Sequence, residues 1–222
     1  MKAFNFSVLL WIERFGFSIL IAFFLQGCES GGGGRFDDGH DYGSNDPNLY
    51  VAMGDSITAG YGLTSYSQSF VPRLSSMLGK TIINKGHGGD ESSRGAGTVN
   101  SVLKNYKPGV LLIFYGVNDL ICGRSVESAI ANLQTMILAA KVNKTIPVIA
   151  TLTPAFGSHS FIYYGVAELS DRIRALADAE GICVADLNDT FGDNSAYILP
   201  DGLHPNSLGH ELIALTFNDI LQ

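Results

Sequence analysis

Cysteine is scarce in this chain. Only Cys28, Cys122 and Cys183 occur, with no Cys-x-x-Cys spacing among them, so zinc-ribbon and dithiol-redox readings find no support. Basic residues are also few: 14 Lys and Arg stand against 21 Asp and Glu, a formal net charge of -7. Phosphate contacts need clustered cations, and no such cluster occurs, which argues against nucleic acid as a partner. The Gly-x-Ser-x-Gly elbow of the α/β-hydrolase fold is missing, and so is any internal repeat. Hydrophobic residues, by contrast, make up 46% of the 222 residues against 16% charged. That is enough to bury one sizeable core, and the length favours a single domain.

The N-terminal residues differ from the rest. Lys2 and Arg14 precede the apolar run Phe15 to Leu25, which leads into Leu25-Gln26-Gly27-Cys28. The run is short for a bilayer span but suits the apolar region of a secretory signal. The pattern resembles a bacterial lipoprotein signal, which implies cleavage after residue 27, lipidation of Cys28 and a membrane anchor facing the periplasm. Glu29 rather than Asp after that cysteine is compatible with the outer membrane. A buried or uncleaved anchoring helix is the other reading. Residues 28–48 carry four consecutive glycines and then Asp37, Asp38, Asp41 and Asp46, the composition of a flexible tether. The acids around His40 suit a solvated linker better than a cation site. Cys122 and Cys183 either pair or serve as two small buried hydrophobes.

From residue 49 onward, short β-rich runs alternate with longer segments of helical spacing, which predicts a parallel sheet with crossover helices. Strands are expected near Leu49 to Met53, Thr81 to Asn84, Val110 to Tyr115, Pro147 to Thr151 and Ile182 to Leu187, each apolar on both faces. Helices are expected near Phe70 to Leu78, Ser125 to Val142, Val166 to Ala179 and Ser207 to Leu221. The fold class is α/β: a three-layer α/β/α sandwich, flavodoxin-like, around a central five-stranded parallel sheet. In such folds the loops at the carboxyl ends of the strands gather on one edge, where ligands bind.

Four short segments fall where those loops would be. They are Gly54-Asp55-Ser56-Ile57-Thr58, the stretch Asn84 to Asp90, Gly116-Val117-Asn118-Asp119, and Asp201-Gly202-Leu203-His204-Pro205. A serine hydroxyl is a poor nucleophile until an imidazole takes its proton, and acyl transfer needs hydrogen bonds aimed at the oxyanion. Ser56, His204 and Asp201 fit the first need. The backbone N–H groups of Ser56 and Gly89 and the side-chain amide of Asn118 fit the second. Asp201 would orient the imidazole, and Pro205 would hold the local backbone extended. Plainer readings stand beside these: Ser56 as a helix cap, Gly89 as a turn residue, Asp201-Gly202 as a surface turn. Asp55, Asn84 and Asp90 read as braces.

In that order the segments resemble the blocks of the SGNH hydrolases, also called GDSL esterases and lipases, whose name-giving residues are present as Ser56, Gly89, Asn118 and His204. The resemblance runs from about Leu49 to the C-terminus. It implies a serine esterase that works through an acyl-enzyme with no cofactor and no metal. Carboxylic esters or thioesters of small molecules or lipids are the implied substrates, as in lysophospholipases, arylesterases and thioesterases. A carbohydrate acetylesterase or an acyltransferase is the alternative within enzymology, and a non-catalytic module binding envelope glycans is the alternative outside it. Of the other histidines, His87 and His159 either line the substrate pocket or lie exposed in loops. Phe156, Phe161, Tyr163 and Tyr164 either wall the substrate or pack on the following helix. Oligomeric state is not legible.

Overall fold

The computed structural model describes residue 37 and residues 39–222. Five strands, β1 (Asp46–Gly54), β2 (Thr81–Gly86), β3 (Pro108–Phe114), β4 (Ile146–Ala150) and β5 (Cys183–Ala185), form one parallel sheet in the order β2-β1-β3-β4-β5. β3 is buried at every residue, which is why its sequence PGVLLIF is continuously apolar instead of alternating. Helix α2 (Phe70–Leu78) packs against α8 (Ser207–Leu221), while α3 (Ser92–Tyr106), α5 (Val126–Val142) and α6 (Tyr163–Glu180) pack in series. Right-handed crossovers put the first pair on one face of the sheet and the series on the other. The result is the three-layer α/β/α sandwich expected from the alternation.

The register positions the site. Gly54 at the end of β1 pairs with Gly86 at the end of β2 and with Phe114 at the end of β3, so these three strands stop level with one another. Their loops leave the sheet at a single edge, beside the point between β1 and β3 where the strand order reverses, the usual place for a ligand in an open α/β sheet. Three short helices hang from that edge: α1 (Ser56–Ala59), α4 (Val117–Ile121) and α7 (Leu187–Phe191).

Two stretches differ from expectation. Helix α3 is not legible from its sequence SSRGAGTVNSVLKNY, because Gly95 and Gly97 each cost a helix interior about 1 kcal/mol relative to alanine. Tertiary packing overrides that propensity: a Cβ at Gly95 would lie 2.7 Å from Met136 Sδ and 2.8 Å from Tyr115 Cε2, so a glycine is what lets α3 approach α5 and β3. The second stretch is the described part of the expected tether at 28–48, which is anchored. Asn45 donates to the Asn143 carbonyl at 2.6 Å, Asp41 pairs with Lys144, and β1 starts at Asp46, three residues before the expected strand. The expected signal segment 1–27 and lipidation site Cys28 lie outside the described residues. Cys122 is a free, exposed thiol, so it does not pair with Cys183.

Candidate active site

The turn after β1 is tight. A side chain at Gly54 would collide with Thr58 Oγ1 and lie 2.7 Å from the Phe114 carbonyl, so the chain reverses into α1 only because Gly54 has none. Asp55 caps α1 by accepting the Ile57 N–H at 2.8 Å. Ser56 is the first residue of α1, and its own N–H therefore has no intrahelical acceptor. The residue is 8% exposed, and its Oγ lies 2.9 Å from His204 Nε2. A hydroxyl from residue 56 and an imidazole from residue 204 thus meet across 148 positions of sequence.

His204 sits on a loop that is fastened at several points. Asp201 Oδ1 accepts the N–H groups of Leu203 and His204 at 2.9 and 3.0 Å, and Asp201 Oδ2 lies 2.7 Å from His204 Nδ1. A carboxylate only accepts, so Nδ1 carries the proton and Nε2 presents its lone pair to Ser56. Burial alone would raise the Asp201 pKa, but the hydrogen bonds from Leu203 and from the His204 ring and backbone outweigh it and hold the carboxyl below its usual range. The stabilisation from those bonds is therefore present at neutral pH and lost as the carboxyl protonates in acid. The Leu199 N–H donates to the His204 carbonyl, the Phe156 N–H to the Gly202 carbonyl at 2.7 Å, and His159 Nδ1 to the Asp201 carbonyl at 2.9 Å.

The loop after β2 brings the remaining residues. The His87 N–H bonds the Gly54 carbonyl at 3.0 Å, tying this loop to the end of β1. Gly89 stands exposed at φ +80°, a conformation that disfavours a side chain, with open space where a Cβ would be. Asn118, in the first turn of α4, donates from Nδ2 to the Asp90 carbonyl at 3.1 Å. An amide nitrogen carries two protons, so one remains for a ligand. Asn84 braces the same loop by donating to the Thr58 carbonyl at 2.7 Å and accepting the Gly86 N–H.

A buried carboxyl underlies this cluster. Burial pushes the Asp55 pKa up to about 7, with Asp119 and Asp90 adding to the rise and the Ile57 hydrogen bond opposing it. A raised folded-state value means that the native state binds the proton more tightly than the unfolded chain does. Stability contributed by the protonated form is therefore lost as pH rises from about 4 to about 7. The span corresponds to roughly 4 kcal/mol at most. Asp55→Asn keeps the acceptor for Ile57 and removes the titration. The urea-unfolding free energy of Asp55→Asn relative to that of the parent protein should rise from pH 4 to 8, because the depressed titration of His210 is common to both and cancels in the difference. A difference that stays constant with pH would show that Asp55 is not the group responsible.

Two features of the site escape the sequence reading. Tyr61 lies over the His204 imidazole with ring centroids 4.5 Å apart, anchored by its N–H to the Ser56 carbonyl at 2.9 Å. The signal for it was an aromatic directly after the first segment, between Gly60 and Gly62. Asp119 holds the start of α3, accepting the Ser92 N–H at 2.8 Å and the Ser92 hydroxyl at 2.6 Å. Asn118 and Asp119 thus clamp the Gly89 loop from one short helix. No sequence pattern marks Ser92. Of the other histidines, His87 is exposed and 3.3 Å from Asp90 Oδ1. His210 is buried, and burial, followed by the charges of Arg73 and His204, pushes its pKa down to about 4.

The model of the GDSL-like lipase/acylhydrolase family matches residues 52–212, a span that holds every residue of this cluster. Among solved structures, a lipolytic protein of the G-D-S-L family from Desulfitobacterium hafniense is similar, with a TM-score of 0.70 at 23% identity over 78% of this chain and 99% of its own. The lipase/acylhydrolase from Enterococcus faecalis gives 0.66 at 27% identity over 77% of this chain and 93% of its own. A psychrotrophic esterase from Pseudoalteromonas sp., in a structure inhibited by monoethylphosphonate, gives 0.62 at 21% identity over 78% and 95%. No curated protein matches the chain.

Proposed function

We propose, from the premise that the chain belongs to the GDSL-like lipase/acylhydrolase family of ester-hydrolysing serine hydrolases, that Ser56 is the nucleophile of an acyl-enzyme reaction and His204 its base. Ser56 Oγ attacks the ester carbonyl carbon while Nε2 of His204 takes the hydroxyl proton. The tetrahedral oxyanion receives hydrogen bonds from the N–H groups of Ser56 and Gly89 and from the free Nδ2 proton of Asn118. The imidazolium then gives its proton to the leaving alcohol or thiol, and the acyl group stays on Ser56. Water, deprotonated by the same imidazole, attacks that acyl group and restores the hydroxyl.

The observation that carries this reading is the relay Ser56 Oγ to His204 Nε2 at 2.9 Å and His204 Nδ1 to Asp201 Oδ2 at 2.7 Å. Carboxylic esters or thioesters of small molecules or lipids are the proposed substrates. The similar Pseudoalteromonas esterase was inhibited by monoethylphosphonate, which makes a fluorophosphonate the natural probe here. Incubation should place one phosphonate on Ser56, located by peptide mass mapping. An intact protein that stays unlabelled would rule out the activated serine and favour a binding module. The lipid anchor at Cys28 and a place in the bacterial envelope, facing the periplasm, complete the proposal, and their support is the pattern of residues 1–28.

A further inference from the structure

We propose that the groove between β2 and α3 holds a negatively charged group of the substrate, a carboxylate in the simplest case, with Arg94 and Lys85 as its cations. The inference rests on the serine-esterase reading above and adds a substrate preference to it.

A cavity of about 370 Å³ opens there, with Lys85, His87, Asp90, Arg94, Tyr106 and Tyr115 among its lining residues. Arg94 is unlike the other described arginines. Arg73, Arg124, Arg172 and Arg174 each have a carboxylate oxygen within 4 Å. Arg94 forms no ion pair among the described residues, although acids outnumber bases by 21 to 14 in the sequence. Lys85 Nζ stands 5.5 Å above the Tyr106 ring and likewise has no carboxylate partner among the described residues. Among the lining residues Asp90 is the one acid, and its neighbour is His87, 3.3 Å away. A guanidinium left without an ion-pair partner in the same groove as a lysine, in an acidic protein, is arranged to receive an anion from outside. Its planar fork of donors matches a carboxylate.

The groove adjoins the chemistry. Two of its lining residues belong to the Gly89 loop: the Asp90 carbonyl receives the Asn118 amide, and the His87 N–H bonds Gly54, two residues before Ser56. The groove and the reacting residues thus share the Gly89 loop, and the charged end of an ester seated on Ser56 would reach Arg94 and Lys85 across it. The long-range field of a chain with net charge -7 repels anions. A preference for charged esters consequently has to come from local cations.

Two pairs matched in carbon number test this and show which half of the ester carries the charge. Mono-4-nitrophenyl succinate against 4-nitrophenyl butyrate puts it on the acyl side, and 4-acetoxybenzoate against 4-methylphenyl acetate puts it on the alcohol side. After subtraction of uncatalysed hydrolysis, the anionic member of at least one pair should have a kcat/KM on the order of tenfold higher, the scale of hydrogen bonds to a charged group. The ratio should fall to about one in the Lys85→Ala, Arg94→Ala double variant. It should persist in Lys104→Ala, which removes an exposed charge from α3 outside the groove. Ratios at or below one for both pairs in the parent protein would overturn the proposal. So would a preference that survives the double variant, or one lost equally in Lys104→Ala. Fluorophosphonate labelling of Ser56 separates the two levels. A labelled enzyme without charge preference defeats only the groove, whereas an unlabelled one defeats the esterase reading beneath it.

Discussion

Replacing Ser56 with alanine is expected to lower kcat/KM for a short-chain nitrophenyl ester by roughly 10⁵- to 10⁶-fold, the loss seen when a serine hydrolase is deprived of its nucleophile. The geometry argues for a loss of that size. Ser56 Oγ is the hydroxyl facing Nε2 of His204, at 2.9 Å, in a site where the residue is 8% exposed. No other hydroxyl among the described residues is bonded to that nitrogen. Alanine leaves the Ser56 N–H, Gly89 and Asn118 in place, so oxyanion stabilisation of a water attack is all that remains. The fold should tolerate the change, because Asp55 and not Ser56 caps α1. Initial rates measured beside a far-UV circular dichroism spectrum check both halves. Retention of full hydrolysis by a folded Ser56→Ala protein would remove Ser56 from the mechanism.

The second large effect belongs to Asp201→Asn, expected to reduce kcat on the order of 10⁴-fold with the fold intact. Asp201 makes two kinds of contact. Oδ1 receives the Leu203 and His204 N–H groups, and Oδ2 receives the ring proton on Nδ1 of His204 at 2.7 Å. Asparagine can keep the backbone pair with its carbonyl oxygen, and its NH2 group then faces Nδ1. A donor at that position forces the neutral imidazole to carry its proton on Nε2, where it can no longer accept the Ser56 hydroxyl proton. The loop stays and the base is disabled. Activity that recovers steeply at high pH, where hydroxide can replace the base, would fit this account. A loss of activity accompanied by a large fall in melting temperature would instead assign Asp201 a purely structural part.

Much of this was legible because it depended on local patterns. β3 reads as a strand because both its faces are covered by helices, and the spans of α2 and α8 agree to the residue because a glycine, or an asparagine cap, marks an end of each. The four site segments could be found separately because each sits at a strand end or before α8. What stayed hidden depended on partners distant in sequence. Helix α3 carries two glycines, of which Gly95 is explained only by Met136 and Tyr115. Tyr61 matters because a ring from residue 204 lies beneath it. Ser92 looks like any other helix-start serine until the Asp119 carboxylate is placed against it. The described end of the expected tether is held because Asn45 and Asp41 meet the turn before β4, some 100 positions away.

The level ending of β1, β2 and β3 carries a consequence for how such a molecule diversifies. Ser56, Gly89 and Asn118 are tied to strands whose register is set by the buried core, whereas Tyr66 and Phe161 project from connecting segments between the packed helices. Insertions or substitutions in those outlying segments can reshape what docks at the rim without moving the reacting atoms. Selectivity can drift freely while the chemistry is inherited unchanged.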